Sequence, residues 1–294
     1  PGILVGNAHD PRLRSGVTVL TSDAPFTAIV DIRGASPGTR DTNALALTSV
    51  GYPVDAIVLS GGSLYGLDAV SGVLASLRAQ GRGRAYEAGI APLPIVPGAI
   101  LFDLTNGGDK NWQMPPYADL GRKAAEMTGR DFALGNAGAG FGAIAGAYKG
   151  GIGSASVIIE DGCTIGALAA VNALGSPVMP GCDAFWAWPF EMKKEFGGRR
   201  PPATWGPMVH ELPADMKGVA KAEANTTIAV VATDADLSRG ELNRLAIMAA
   251  DGFSRALYPA HTPFDGDIVF ALTTAIRPID GDRAIELLRL GANA

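Results

Sequence analysis

The stretch that decides the reading is Ala222-Glu223-Ala224-Asn225-Thr226-Thr227-Ile228-Ala229-Val230-Val231-Ala232-Thr233. A charged, loop-like run ends at Asn225, and two threonines then open an apolar run of β type over residues 228–232. An Asn-Thr junction at a strand start has the outline of a self-cleavage site. Attack of the Thr226 hydroxyl on the Asn225 carbonyl converts the peptide to an ester, and hydrolysis leaves Thr226 as a new N-terminus. Such a residue carries a nucleophile together with its own base. A free α-amino group titrates at about 7.7–8.0, near the pH at which a general base works best. A threonine hydroxyl beside its own terminal amine is an activated nucleophile. Read alone, the dipeptide is only a β-branched pair starting a strand, so the rest of the chain has to carry the argument.

Upstream, residues 1–12 read as a loop containing Gly6-Asn7-Ala8-His9-Asp10. Gly16 to Leu20 and Phe26 to Ile32 alternate and read as a hairpin or two adjacent strands. Val54 to Leu59 is an apolar strand, followed by Ser60-Gly61-Gly62-Ser63 and a helical pattern from Leu64 to Gln80. Ile95 to Leu104 reads as a strand broken at Pro97-Gly98, and Asp119 to Met127 as a short helix. Ser154–Glu160 and Thr164–Asn172 read as strands joined by the turn Asp161-Gly162. Residues 175–225 hold seven prolines and little periodicity, the pattern of a long surface excursion. Ser238-Arg239-Gly240-Glu241 has capping-box spacing before a helix to about Ala256. Ile268–Thr273 is a strand, and Arg283–Leu290 a last helix. Adjacent strands mixed with blocks of helix favour a layered α+β sandwich over a strictly alternating sheet.

Composition removes several classes. With 47% hydrophobic and 18% charged residues, the 294-residue chain can bury a large core. The net charge of −5, without a basic run, argues against a nucleic-acid partner. No apolar run reaches membrane-spanning length, and two cysteines, Cys163 and Cys182, make no disulfide framework. A cytoplasmic setting is therefore expected. His9, His210 and His261 are isolated, so no metal site is expected.

Other stretches carry candidate chemistry. Gly138-Ala139-Gly140-Phe141-Gly142-Ala143 nearly spells a dinucleotide fingerprint but lacks the strand before it and the helix after it. Gly61-Gly62-Ser63-Leu64-Tyr65-Gly66 lies where a hydrolase nucleophile elbow would be, but Tyr65 occupies the place of its second glycine. A hydrolase built on Ser63 with His261 is the rival; the plainer reading makes Ser63 a helix cap. Asp265-Gly266-Asp267 precedes a strand, and its two carboxylates suit holding an ammonium group beside an N-terminal threonine. Lys149 is a lone cation in a glycine-rich stretch, and Asn172 ends an apolar strand where an amide can donate to an oxyanion.

Five segments in order resemble the DmpA-like, or P1-family, self-processing hydrolases, which include L-aminopeptidase/D-esterases, β-aminopeptidases and nylon-oligomer hydrolases. They are Asp31-Ile32-Arg33-Gly34-Ala35-Ser36-Pro37-Gly38-Thr39-Arg40, residues 60–68 around Ser63, Lys149-Gly150-Gly151-Ile152-Gly153-Ser154-Ala155-Ser156, residues 225–231, and residues 261–271 from His261 to Ala271. The resemblance implies a four-layer αββα sandwich of the N-terminal-nucleophile type, one domain over 1–294 cut into a large piece 1–225 and a small piece 226–294. It implies Thr226 as nucleophile and Asn172 as oxyanion holder, with Lys149, Asp265 and Asp267 beside them. It further implies that no cofactor is needed and that the cut pair assembles as a homo-oligomer, often a tetramer. Phe102 stands where some members place an oxyanion-binding Tyr, and with Ser63 is expected at the substrate. The substrate expected is a short peptide-like amide or a 6-aminohexanoate oligomer, with amino-acid amides of the aminopeptidase branch as the alternative. A related ornithine-acetyltransferase type of acyl transfer is a further alternative, although its usual Met-Ala-Thr cleavage context is absent.

Overall fold

The computed structural model describes residues 1–159, 162–206, 213–217, 225–282, 284 and 286. In chain order the strands are β1 (Ile3–Asp10), β2 (Ser15–Ile32), β3 (Thr39–Arg40), β4 (Val54–Ser60), β5 (Gly98–Ile100), β6 (Ile144–Ala145), β7 (Tyr148–Lys149), β8 (Gly151–Ile158), β9 (Thr164–Asn172), β10 (Thr226–Ala235) and β11 (Ile268–Arg277). The helices are α1 (Asp68–Ala79), α2 (Tyr117–Glu126), α3 (Arg239–Ala249) and α4 (Asp251–Ala256). The expected helix at 283–290 and the turn residue Asp161 lie outside the described residues.

The period-2 geometry of the strands builds the layers. In β10, Ile228 and Val230 enter one core while Ala229 and Val231 enter another; in β11, Ile268, Phe270 and Leu272 are separated in the same way from Val269 and Ala271. In β4, Ile57 and Leu59 join the first core, and Ala56 and Val58 turn to a third. The first core thus lies between two sheet faces. The second is covered by Leu242, Leu245 and Ala246 of α3 and Phe253 of α4. The third is covered by Val70, Val73 and Leu77 of α1 with Tyr117, Leu120 and Ala124 of α2. The result is helices, sheet, sheet, helices: the four-layer α+β sandwich expected, since each sheet buries both faces.

The strand order is β3-β5-β4-β2-β11-β10-β9-β8, with β1 also paired to β2. Gly16–Leu20 and Phe26–Ile32 are not two strands but parts of the single strand β2. Its first part pairs with β1 and β4, from Val17 opposite Ser60 to Thr21 opposite Ala56. After a register shift between Thr21 and Phe26, its second part pairs with β11, Ile32 opposite Ile268. An irregularity of this kind bends a strand, which lets β2 pass from one sheet layer into the other. Residues 3–10, expected as loop, form β1, because the ladder to β2 satisfies a backbone that local propensity would leave free. The expected strand at 95–104 shrinks to β5, which pairs in parallel with β4.

Ser63 does not cap a helix. It begins a 3-10 turn, Ser63–Leu67, whose cap is Gly62 at φ +87°, and Gly62 N donates to Asp103 Oδ1 at 2.8 Å. The capping box at α3 is present, Ser238 accepting from Glu241 N and Glu241 accepting from Ser238 N. The excursion after residue 175 is not wholly superficial. Pro177, Phe185, Phe190 and Phe196 line an apolar cavity of about 430 Å³ against the outer face of β9 and β10.

Candidate active site

β10 begins at Thr226, two residues before the inward-facing Ile228, so its side chain shares the inter-sheet face. Its partner across the ladder is Asn172, the last residue of β9. The junction is intact and buried, Asn225 and Thr226 each being 2% exposed. Thr226 Oγ donates a hydrogen bond to the carbonyl oxygen of Asn225, the residue whose peptide bond it would attack. The same carbonyl accepts from Gly266 N at 3.2 Å. A backbone donor therefore already rests on the oxygen where charge would develop.

The acidic stretch 265–267 lies beside this junction, with Asn225 bridged in parallel to Asp265. Its two carboxylates do different things. Asp267 Oδ1 accepts from Thr227 N at 2.7 Å, fixing the strand just after Thr226. Asp267 Oδ2 lies 2.9 Å from His261 Nδ1 and accepts from His261 N at 3.1 Å. That hydrogen bond raises the imidazole above its usual value, against the opposing effect of its own burial. Asp265 Oδ2 accepts from Thr262 N at 2.9 Å and Thr262 Oγ1 at 2.7 Å, while Oδ1 accepts from Leu174 N at 3.4 Å. Burial, and secondarily the Asp267 charge, raises Asp265. The Arg33–Ser36 loop pins this turn: Arg33 N and Gly34 N donate to Asp267 O, and Ser36 N donates to Asp265 O. A Cβ on Gly266 would stand 2.6 Å from Thr226 Oγ and 2.7 Å from Ser36 O, so the turn approaches Thr226 as closely as only glycine permits.

Asn172 is wholly buried, and its amide is held from several directions. Nδ2 donates to Phe102 O at 2.8 Å. Oδ1 accepts from Ile144 N at 3.0 Å, Asn106 Nδ2 at 3.1 Å and Lys217 Nζ at 3.2 Å. Phe102 thus contributes its main-chain carbonyl rather than a phenol. Ser63 N donates to Leu101 O at 3.0 Å, so Ser63 sits one segment behind Phe102. Among the described residues Ser63 Oγ makes no hydrogen bond, and His261, its expected partner in the rival reading, is engaged with Asp267. Lys149 is exposed on the β6–β7 hairpin and lines an open cavity of about 500 Å³ with Arg14, Asn106, Asn136 and Ile144. Two of those residues, Asn106 and Ile144, are the ones that hold Asn172.

Thr226, Asn172, Asp265 and Asp267 therefore come together, joined by groups that sequence reasoning did not single out: Lys217, Asn106, the Ile144 amide, Thr262 and the Gly266 amide. Gly266 was legible in principle from its place between two acids. No spacing signal marked Lys217 or Asn106, because each reaches Asn172 only through the fold.

The model of the family described as Peptidase family S58 matches residues 1–290. An uncharacterized aminopeptidase of Mycobacterium bovis is 45% identical over 259 residues, covering 88% of this chain and 73% of that protein. A 6-aminohexanoate-oligomer endohydrolase of a Kocuria species is 31% identical over 296 residues, covering 93% and 73%. Among solved structures, a Burkholderia β-aminopeptidase matches with a TM-score of 0.71 at 20% identity, over 100% of this chain and 82% of that one. An L-aminopeptidase D-Ala-esterase/amidase from Ochrobactrum anthropi, described as a variant of the Ntn-hydrolase fold, matches with a TM-score of 0.68 at 20% identity, over 100% and 81%. These two likenesses concern the fold.

Proposed function

The chain belongs to peptidase family S58 and is a hydrolase of amide bonds; from that premise we propose that it cuts itself between Asn225 and Thr226 and then uses Thr226 as an N-terminal nucleophile. The observation that carries this reading is the pair of hydrogen bonds on the Asn225 carbonyl, one from Thr226 Oγ and one from Gly266 N. In the cut, Oγ bonds to the Asn225 carbonyl carbon, the oxyanion is held by the Gly266 amide, and the Asn225–Thr226 C–N bond breaks as its nitrogen takes the proton that Oγ gives up. Water then hydrolyses the ester. The products are pieces 1–225 and 226–294 of one domain and a free Thr226 amine.

In turnover, the amine takes the Oγ proton as Oγ attacks a substrate carbonyl, Asn172 stabilises the oxyanion, and the leaving amine departs protonated. Water completes the cycle by cleaving the acyl-enzyme. Asp267 holds the strand through Thr227 N, and Asp265 shapes the turn that carries Gly266. The substrate proposed is a short amide, from peptide-like compounds to 6-aminohexanoate oligomers, entering by the cavity that Lys149, Asn106 and Ile144 line. Phe102 meets this site through its carbonyl, which accepts from Asn172 Nδ2, and Ser63 N donates to the neighbouring Leu101 O. Assembly as an oligomer of cut pairs, with a tetramer as the form expected, belongs to the same reading.

The test is intact mass and N-terminal sequencing of the purified protein, followed by amine-release assays with aminoacyl amides, small peptides and 6-aminohexanoate oligomers. Two pieces, the smaller beginning at Thr226, with amine release from one of these substrates, are expected. An uncut and inactive chain would overturn the reading.

A further inference from the structure

Lys217 is a lysine at 6% exposure, nine residues before the proposed cut. Burying an ammonium group is costly unless it is hydrogen-bonded, and this one spends two of its donors on a single residue. Lys217 Nζ donates to Asn172 O at 3.0 Å and to Asn172 Oδ1 at 3.2 Å. Its backbone N donates to Leu174 O at 3.0 Å, seating the segment on the chain just past the end of β9.

The Asn172 amide has one oxygen with two lone pairs and one nitrogen with two hydrogens. Among the described residues its oxygen faces the Ile144 amide, the Asn106 amide and the Lys217 ammonium. Rotating the amide by a half-turn would set NH₂ against all three and remove the donor from Phe102 O. The orientation is thus locked with nitrogen on the donating side. The ammonium also draws electron density toward Oδ1, and a charge-assisted bond at one end of an amide strengthens donation from the other. Asn172 and Thr226 face one another across the β9–β10 ladder, with Cα atoms about 4.5–5.5 Å apart in such pairs.

We infer that Lys217 is a positioning residue for the oxyanion site, holding and polarising the Asn172 amide opposite Thr226. This inference rests on the proposed role of Thr226 and Asn172. It gives Lys217 a continuing function: this lysine stays on Asn172 after cleavage, because it belongs to the finished site.

The test compares Lys217→Met, Lys217→Arg and Lys217→Ala with Thr226→Ala and Asn172→Ala. The readouts are the rate of self-cutting, kcat and KM on an amide substrate that the wild type cleaves, and thermal midpoint. Lys217→Met is expected to lower kcat by about 10–100-fold, as for loss of a group supporting an oxyanion donor, with KM within about threefold and the cutting rate, whose oxyanion the Gly266 amide holds, changed less than kcat. Lys217→Arg is expected to recover part of that rate. Added propylammonium is expected to restore part of kcat to Lys217→Ala but none to Asn172→Ala. If Lys217→Met fails to fold, the propylammonium response of Lys217→Ala and the rate of Lys217→Arg still decide. Wild-type kcat in Lys217→Met, while Thr226→Ala is inactive, would overturn the inference and leave the proposed function standing. Loss of rate that tracks only the thermal midpoint, with no amine rescue, would also overturn it. Full activity in Thr226→Ala would instead overturn the proposed function itself.

Discussion

Two hydroxyls stand at strand ends in this chain, and they differ in everything that matters for chemistry. Ser63 follows the C-terminal end of β4 in a glycine turn that looks like a nucleophile elbow in outline. Thr226 stands at the N-terminal end of β10 in an ordinary-looking β-branched pair. Yet the polar groups around Ser63 are occupied elsewhere: Gly62 N serves Asp103, and Ser63 N serves Leu101. Around Thr226 they converge, with a carbonyl under its hydroxyl, the Gly266 amide on that carbonyl, Asp267 on the next amide and Asn172 opposite. Local shape does not make a nucleophile; the direction of neighbouring donors and acceptors does.

The sharpest way to break this contrast is Thr226→Ala. We expect it to remove self-cutting and to lower amide hydrolysis by at least about 10³-fold, the scale on which loss of a nucleophile acts; Thr226→Ser should retain both. Mass spectrometry and amine release measure the two. Activity surviving in Thr226→Ala would return Ser63 to consideration.

Next in size is Gly266→Ala. The added methyl group needs space held by Thr226 Oγ and Ser36 O, so the hydroxyl must move. A displacement of that order costs about 10–100-fold in a reaction that depends on near-attack geometry. The fraction of cut chain against time reads it, and a wild-type time course would show that the turn does not set the nucleophile.

A smaller effect concerns His261. Its raised pKa means that the folded state favours the imidazolium beside Asp267. That contribution to stability is complete below the unfolded value of about 6.5 and is lost as pH rises through the folded value. The thermal midpoint should therefore fall as pH rises above about 6.5, by no more than about 2–4 °C because the ring is only partly buried and is screened by solvent. His261→Gln should flatten that slope. An identical slope in the variant would remove the pair from the account. Smallest of all is Ser63→Ala, expected to change kcat by less than about threefold; a tenfold loss would erase the contrast with Thr226.

Much of this was legible along the chain. β4, β8, β9, β11, α2 and α3 follow from alternation, helical spacing and a capping box, all local signals. The Asn225–Thr226 junction, Asn172 and the Asp265/Asp267 pair were singled out because their residue types imply chemistry at strand ends. What was not legible depends on pairing. β1 has weak propensity and exists through its ladder with β2. β2 looks like two strands because its irregularity interrupts the alternation where the chain passes between sheets. Ser63 loses its expected capping role because Gly62 takes the cap at a positive φ.

The sequence by itself determined the layered α+β class, the strand that begins at Thr226 and the kind of chemistry an Asn-Thr junction permits. Those follow from residue type and short-range period, which act before any tertiary contact forms. Only the tertiary structure decided that Asn172 stands opposite Thr226, that Gly266 donates to the Asn225 carbonyl, and that Lys217 rather than Lys149 reaches the Asn172 amide. Those relations join residues tens of positions apart, and a hydrogen bond is settled by distance and direction in space, which no spacing in the chain encodes.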